Sequence, residues 1–209
     1  MSGDLVFYTN PMSRGRIARW MLEEVGAPYE TVLLDFSTTA KTDEYLRLNP
    51  MGKVPAIVHR GHVVTECAAI CAYLAEAFPD AGLAPAEDER ADYYRWLFFA
   101  AGPLEQAVVN HSLGLDPPAE RRAMVGYGSY DLAVDTLETA VSAHPYVAGE
   151  RFTAADVYVG SQIGWGMSFG ALPKRPAFEA YMGRIFMRPA AVRARQIDDD
   201  LIAKAAQPA

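Results

Sequence analysis

The sequence predicts an α/β half followed by an all-helical half. Three observations carry this. A strand–helix–strand pattern opens the chain and leads into a hairpin and a further helix. A stretch rich in proline and glycine, "PDAGLAPAED", then interrupts the periodicity. After it, only helical spacing recurs. The expected division is residues 1–79, a linker at 80–87, and a helical half over 88–209.

"LVFYTN" (5–10) is a short apolar and aromatic run, hence a strand. In "PMSRGRIARWMLEEVGAPY", Ala18, Met21, Leu22 and Val25 recur at helical spacing, and Gly26 and Pro28 close the helix. "YETVLLD" (29–35) is the second strand, and two strands joined through a helix make a parallel pair. "TDEYLRLNP" is a short helix. "AIV" (56–58) and "HVVT" (62–65) flank Gly61 as an antiparallel hairpin. "ECAAICAYLAEAF" is a helix with Ile70, Tyr73, Leu74 and Ala77 on one face.

Beyond the linker, Tyr94, Leu97, Phe98 and Ala101 mark one helical face. Tyr127, Tyr130, Val134, Leu137 and Val141 mark a long helix, and Phe178, Tyr181, Met182 and Ile185 another, before Pro189. In "GERFTAADVYVG", Thr153 and Asp156 have capping-box spacing, with Phe152 and Val157 able to staple the helix start. Gly160 and Gly164, one turn apart, predict close packing by another element.

The chain has 209 residues, is 51% hydrophobic and carries a net charge of −7. That acidity argues against nucleic acid, whose phosphates demand a basic face. No apolar run is long enough to span a bilayer. The start "MSGDLVFYTN" lacks the basic region and apolar stretch of a secretory signal, so a cytoplasmic location is expected. Cys67 and Cys71, one helical turn apart, suit buried packing better than a disulfide. Two cysteines are too few ligands by themselves, and no metal site is expected.

"MGKVPAIV" (51–58) plants a proline at the mouth of a strand, where it cannot donate to a ladder. A cis Val54–Pro55 bond would turn the chain and leave the Val54 main chain to pair with an extended, peptide-like ligand. A trans proline at a strand start fits the local sequence equally well.

Taken together, "FYTNPMSRGRI", "NPMGKVPAIV", "TECAAICAYLAEAFP" and "ERFTAADVYVG" resemble, in order and spacing, the glutathione S-transferases. The resemblance covers nearly the whole chain, and the "NPMSRGR" form resembles bacterial members. It implies a thioredoxin-like N-terminal domain followed by an all-helical domain. It also implies glutathione as co-substrate, no further cofactor, a hydrophobic electrophile as acceptor, and a homodimer.

By this resemblance Glu66 offers a counter-charge to the γ-glutamyl amine. The γ-glutamyl carboxylate would sit over the helix beginning near Cys67, where free N–H groups and the helix dipole favour an anion. Relatives usually have Glu-Ser here, and a thiol in place of the hydroxyl implies weaker binding. The cysteinyl main chain would pair with Val54, beside Pro55, and the glycyl carboxylate with Lys53 or Lys41.

A free thiol has a pKa of about 8.5, so the reactive thiolate must be stabilised. Ser13, at the start of the first helix, stands where relatives place Ser or Cys; the same oxygen could instead cap the helix. Asn10 and Tyr8 are the other candidate donors, and Arg14 or Arg16 could add positive potential. With no cysteine before residue 67, mixed-disulfide chemistry on a cysteine at that helix start is excluded. The acceptor site is expected between the halves, lined by Trp96, Phe99 and Trp165, with Phe169 a further choice.

Conjugation is the leading reading. The alternatives are a glutathione-dependent isomerase, dehalogenase or peroxidase, or a non-catalytic binding or assembly module on the same fold. Gly52-Lys53 does not fit a phosphate-binding loop, and "GYG" (126–128) lacks the preceding strand of a dinucleotide site.

Overall fold

The computed structural model describes residues 4–206. Four strands form one mixed sheet: β1 (Leu5–Thr9), β2 (Glu30–Leu33), β3 (Ala56–His59) and β4 (His62–Thr65), in the order β2-β1-β3-β4. β1 and β2 run parallel and β3–β4 antiparallel, as the crossover and hairpin spacings predict, and β1 pairs antiparallel with β3. The register decides where the loops gather. Tyr8 faces Ala56, and Ala56 faces Thr65. The end of β1, the start of β3 and the end of β4 therefore share one end of the sheet.

Helix α1 (Gly15–Val25) crosses between β1 and β2 and ends on Gly26, whose left-handed backbone (φ 67°) satisfies a helix carbonyl. Ile17, Ala18, Met21 and Leu22 bury its inner face. Helix α2 (Asp43–Leu48) is capped by Thr42, and α3 (Cys67–Ala77) follows β4 directly. This four-stranded sheet with its helices is a thioredoxin-like unit.

The chain divides into two units. The first runs to Leu83 and resumes at Met187; the second is Ala84–Phe186. The boundary falls inside the expected linker, but the division of the remainder differs from the sequence reading. Residues from 187 onward belong with the sheet unit, because α9 (Pro189–Ala205) packs on α1. The helix read as ending before Pro189 closes at Ile185, and Pro189 itself opens α9, where a missing N–H costs nothing.

The second unit is helical. α4 (Arg90–Phe99) continues through a π-helical stretch over Ala100–Leu104 into α5 (Glu105–Ser112). Pro103 lies in that stretch and has no N–H to give the regular ladder. The buried face of α4 is Tyr93, Trp96 and Leu97, continued by Ala100; Phe98, expected inside, is exposed. Helix α6 (Tyr130–Ala143) starts later than its periodicity implied, leaving Tyr127 buried in the preceding turn.

Helix α7 (Ala154–Ser168) begins with the expected capping box. Asp156 accepts from the N–H groups of Thr153 and Val147, both at 2.8 Å, and from the Tyr181 hydroxyl at 2.7 Å. Gly160 and Gly164 face α8 (Pro176–Ile185): a Cβ on Gly160 would meet Ile185, and one on Gly164 would lie 2.9 Å from Met182 and Phe186.

Candidate functional site

At the shared end of the sheet, the loop leaving β1 is tied down by its own side chains. Asn10 donates from Nδ2 to the Leu34 carbonyl (2.9 Å) and accepts the Met12 N–H through Oδ1 (2.9 Å). Ser13 is buried; its Oγ donates to the Asn10 carbonyl (2.6 Å) and accepts the Gly15 N–H (2.9 Å). The capping role open to Ser13 is thus realised two residues before the first helical turn. Tyr8 packs on Tyr45, ring centroids 5.6 Å apart, within a cluster that includes Val54. Burial, with Glu44 and Glu30 nearby, raises the Tyr8 pKa.

The second element is the loop into β3. The Val54–Pro55 bond is cis, one of the two forms the local sequence left open. Lys53 O accepts from the Tyr45 hydroxyl (2.5 Å) and from Asn49 Nδ2 (2.9 Å). Gly52 takes φ 58°, and its carbonyl accepts from Lys41 Nζ at 3.3 Å. Lys41 therefore braces this loop, while the Lys53 side chain is exposed. Val54 lies two residues outside the β1–β3 ladder. Among the described residues its N–H and C=O have no hydrogen-bond partner.

The third element is the start of α3. Glu66 takes φ 66° and ψ 120°, a conformation costing a non-glycine residue about 1–3 kcal/mol. Its side chain is exposed and supplies no cap. The first turn of α3 thus begins without a cap from the Glu66 side chain.

Cys67 Sγ lies 3.6 Å from the Arg14 carbonyl, joining this turn to the start of α1. The sequence reading of both cysteines as buried packing holds for Cys71, which is fully buried and whose thiol burial pushes well up in pKa. Cys67 differs, being partly exposed at the helix start.

The register and this contact bring Tyr8, Asn10, Ser13, Val54, Pro55, Glu66 and Cys67 to one end of the sheet. The contributions of Asn49 and Tyr45 were not anticipated. An asparagine closing a helix before Pro50 was the available signal, since its side chain often organises a turn.

In the second unit, Trp96 belongs to the core, with its ring 5.7 Å from that of Phe99 and under the Arg95 guanidinium at 4.3 Å. Phe99 and Trp165 are half-buried, and Trp165 meets the exposed Phe169 edge-on at 5.6 Å. No helix among the described residues is long and apolar enough to cross a membrane. No group of metal-ligating side chains occurs among them either.

Residues 3–76 match the glutathione S-transferase N-terminal domain. Glutathione S-transferase 3 of Zea mays is 35% identical over 73% of this chain and 73% of its own length. A glutathione S-transferase of Xanthomonas campestris pv. campestris is 29% identical over 85% of this chain and 91% of its own. The structure of a sphingomonad glutathione S-transferase complexed with glutathione superposes with a TM-score of 0.74 at 30% identity, covering 93% of this chain and 98% of that one. The chain belongs to the glutathione S-transferase family and is an enzyme of that kind, a glutathione transferase.

Proposed function

We propose that this transferase binds glutathione along the end of the sheet and activates its thiol for attack on a hydrophobic electrophile. The observation that carries the reading is the unpaired Val54 main chain, near a first turn of α3 that the Glu66 side chain does not cap. An extended peptide would supply the partners Val54 lacks, in the manner of an added strand. Its γ-glutamyl carboxylate would take the N–H groups at the start of α3, and its amine the Glu66 carboxylate. Lys53 is the cation proposed for the glycyl carboxylate. Lys41, already on Gly52 O, steadies the loop.

Ser13 is the proposed thiolate donor. Its single hydroxyl proton now goes to the Asn10 carbonyl, so activation requires that proton to turn toward sulfur. A charge-assisted bond to thiolate outweighs the neutral one it replaces. Asn10 keeps one Nδ2 proton beyond its bond to Leu34 and is the second donor. The Tyr8 hydroxyl, made less acidic by burial, is the third candidate donor. In the acceptor site we place Phe99 and Trp165 ahead of Trp96, which is spent on the core.

Conjugation assays with an aryl halide, together with calorimetric titration of glutathione, test this reading. Turnover with micromolar to millimolar affinity supports it. Absence of both leaves a binding or assembly module on the same fold.

A further inference from the structure

Helix α9, with Arg188 just before it, runs antiparallel to α1, and ion pairs join the two. Arg16 reaches Asp199 (2.5 Å), Arg19 reaches Asp198 (2.8 Å), Arg193 reaches Glu23 (3.1 Å) and Arg188 reaches Glu24 (2.7 Å). The Arg16–Asp199 and Arg193–Glu23 pairs each have an exposed partner, and Arg188 of the Arg188–Glu24 pair is part-exposed. The Arg19–Asp198 pair is buried: its side chains are 2% and 1% exposed.

Burying two charges is a poor source of stability, since apolar residues of similar volume often do as well or better. What such a pair provides is direction. Arg19 Nε donates to Asp198 Oδ1, while Nη1 reaches the Tyr29 hydroxyl (3.1 Å) and Thr31 Oγ1 (3.4 Å). The guanidinium lies over the Phe7 ring at 5.1 Å. Phe7 and Thr31 are partners in the β1–β2 ladder, so Arg19 pins α1 to one rung of the sheet.

Two residues along β1, Thr9 Oγ1 sits against Gly15, in the space a Cβ would need. These two contacts set the position of α1 along and about its axis. Ser13 lies just beyond the second.

We propose that Arg19 is a positioning residue for the transfer reaction, and that the Arg19–Asp198 pair makes α9 a strap holding the Ser13 turn in register. This rests on the reading of Ser13 as thiolate donor. Loosening the pair lets α1 pivot on the Gly15–Thr9 contact and swings the turn that carries the hydroxyl.

The test is the double variant Arg19→Met with Asp198→Leu, which replaces the ions by apolar groups and leaves no buried charge alone. It is expected to melt at or above the wild-type temperature. Its kcat should fall about ten- to a hundredfold, as misplacement remote from the chemistry does, with KM for glutathione within about twofold. The ultraviolet thiolate band of bound glutathione should titrate at higher pH than in the wild type.

Asp198→Asn keeps the shape and the Nε acceptor. It should shift the same readouts in the same direction by less, and it covers the case in which the double variant does not fold. Wild-type kcat and thiolate titration in a folded variant would overturn the proposal while leaving the Ser13 reading intact. A wild-type protein with no thiolate band on bound glutathione, or one whose band survives Ser13→Ala, would sink the Ser13 reading and this inference with it.

Discussion

The hydroxyl of Thr9 occupies the place where a side chain on Gly15 would begin. Thr9 is fully buried, and its Oγ1 has no hydrogen-bond partner among the described residues. Gly15 is therefore fixed by close approach rather than by backbone conformation. A Cβ there would also press on Ser13 Oγ (3.0 Å) and the Asn10 carbonyl (3.2 Å). Gly15→Ala should cost about 1–3 kcal/mol by overpacking and lower turnover by displacing Ser13. Adding Thr9→Ala should restore most of both. Denaturant melts of the two single variants and the double variant measure the coupling, and strict additivity would contradict this packing account.

Ser13→Ala removes the proposed donor and a local cap together. Turnover should drop at least about tenfold, in keeping with the loss of one donor to a developing anion. Glutathione affinity should change little, because the binding contacts proposed above lie on Val54 and the start of α3. Stability should fall by about 1 kcal/mol from the lost N–H acceptor at Gly15. Steady-state kinetics beside calorimetry separate these effects. Unchanged turnover would transfer the role to Asn10 or Tyr8.

Much of this site was legible in the sequence because each part has a local signature. Pro55 at a strand mouth, Glu66 before an apolar helix, and Ser13 ahead of a helical period each say something about their own backbone. The parallel first pair of strands, the hairpin and the capping box at Thr153 followed from spacing in the same way.

What stayed hidden depends on distant partners. Helical spacing gives a face but not which face is covered, so Phe98 was placed inside and Tyr93 overlooked. Residues after Pro189 carry many charges, and nothing local says that Asp198 meets Arg19. The double duty of Ser13 Oγ likewise depends on how the loop closes around it.

Glu66 separates strain from function. Replacing it by glycine relieves the positive φ and should raise stability by about 1 kcal/mol. Losing the carboxylate should weaken glutathione binding about ten- to a hundredfold, the scale of one charged hydrogen bond. Thermal melts and calorimetry on one preparation check both. If affinity stayed at the wild-type level, the amine contact would have to be assigned elsewhere.

In the helical unit, Glu89 accepts from Arg151 (2.6 Å) and from the Ala86 N–H (2.8 Å). Burial alone would raise its pKa, but these contacts outweigh it and hold the carboxyl below its usual value of 4.5. A folded-state pKa below the unfolded one contributes stability above the unfolded value, and this is lost as pH falls through the folded one. Glu89→Gln should therefore be less stable than the wild type at neutral pH. The gap should close as the pH falls below about 4.5. Melting curves of both proteins between neutral and strongly acidic pH follow it; a gap independent of pH would assign the effect to shape rather than charge.

A crystal structure with glutathione bound examines the central claim most directly. The account predicts the cysteinyl main chain paired with Val54, the γ-glutamyl carboxylate on the first turn of α3 beside Glu66, and the sulfur facing the Ser13 hydroxyl. Glutathione seated elsewhere, or the Val54 N–H and C=O left unpaired beside it, would contradict it.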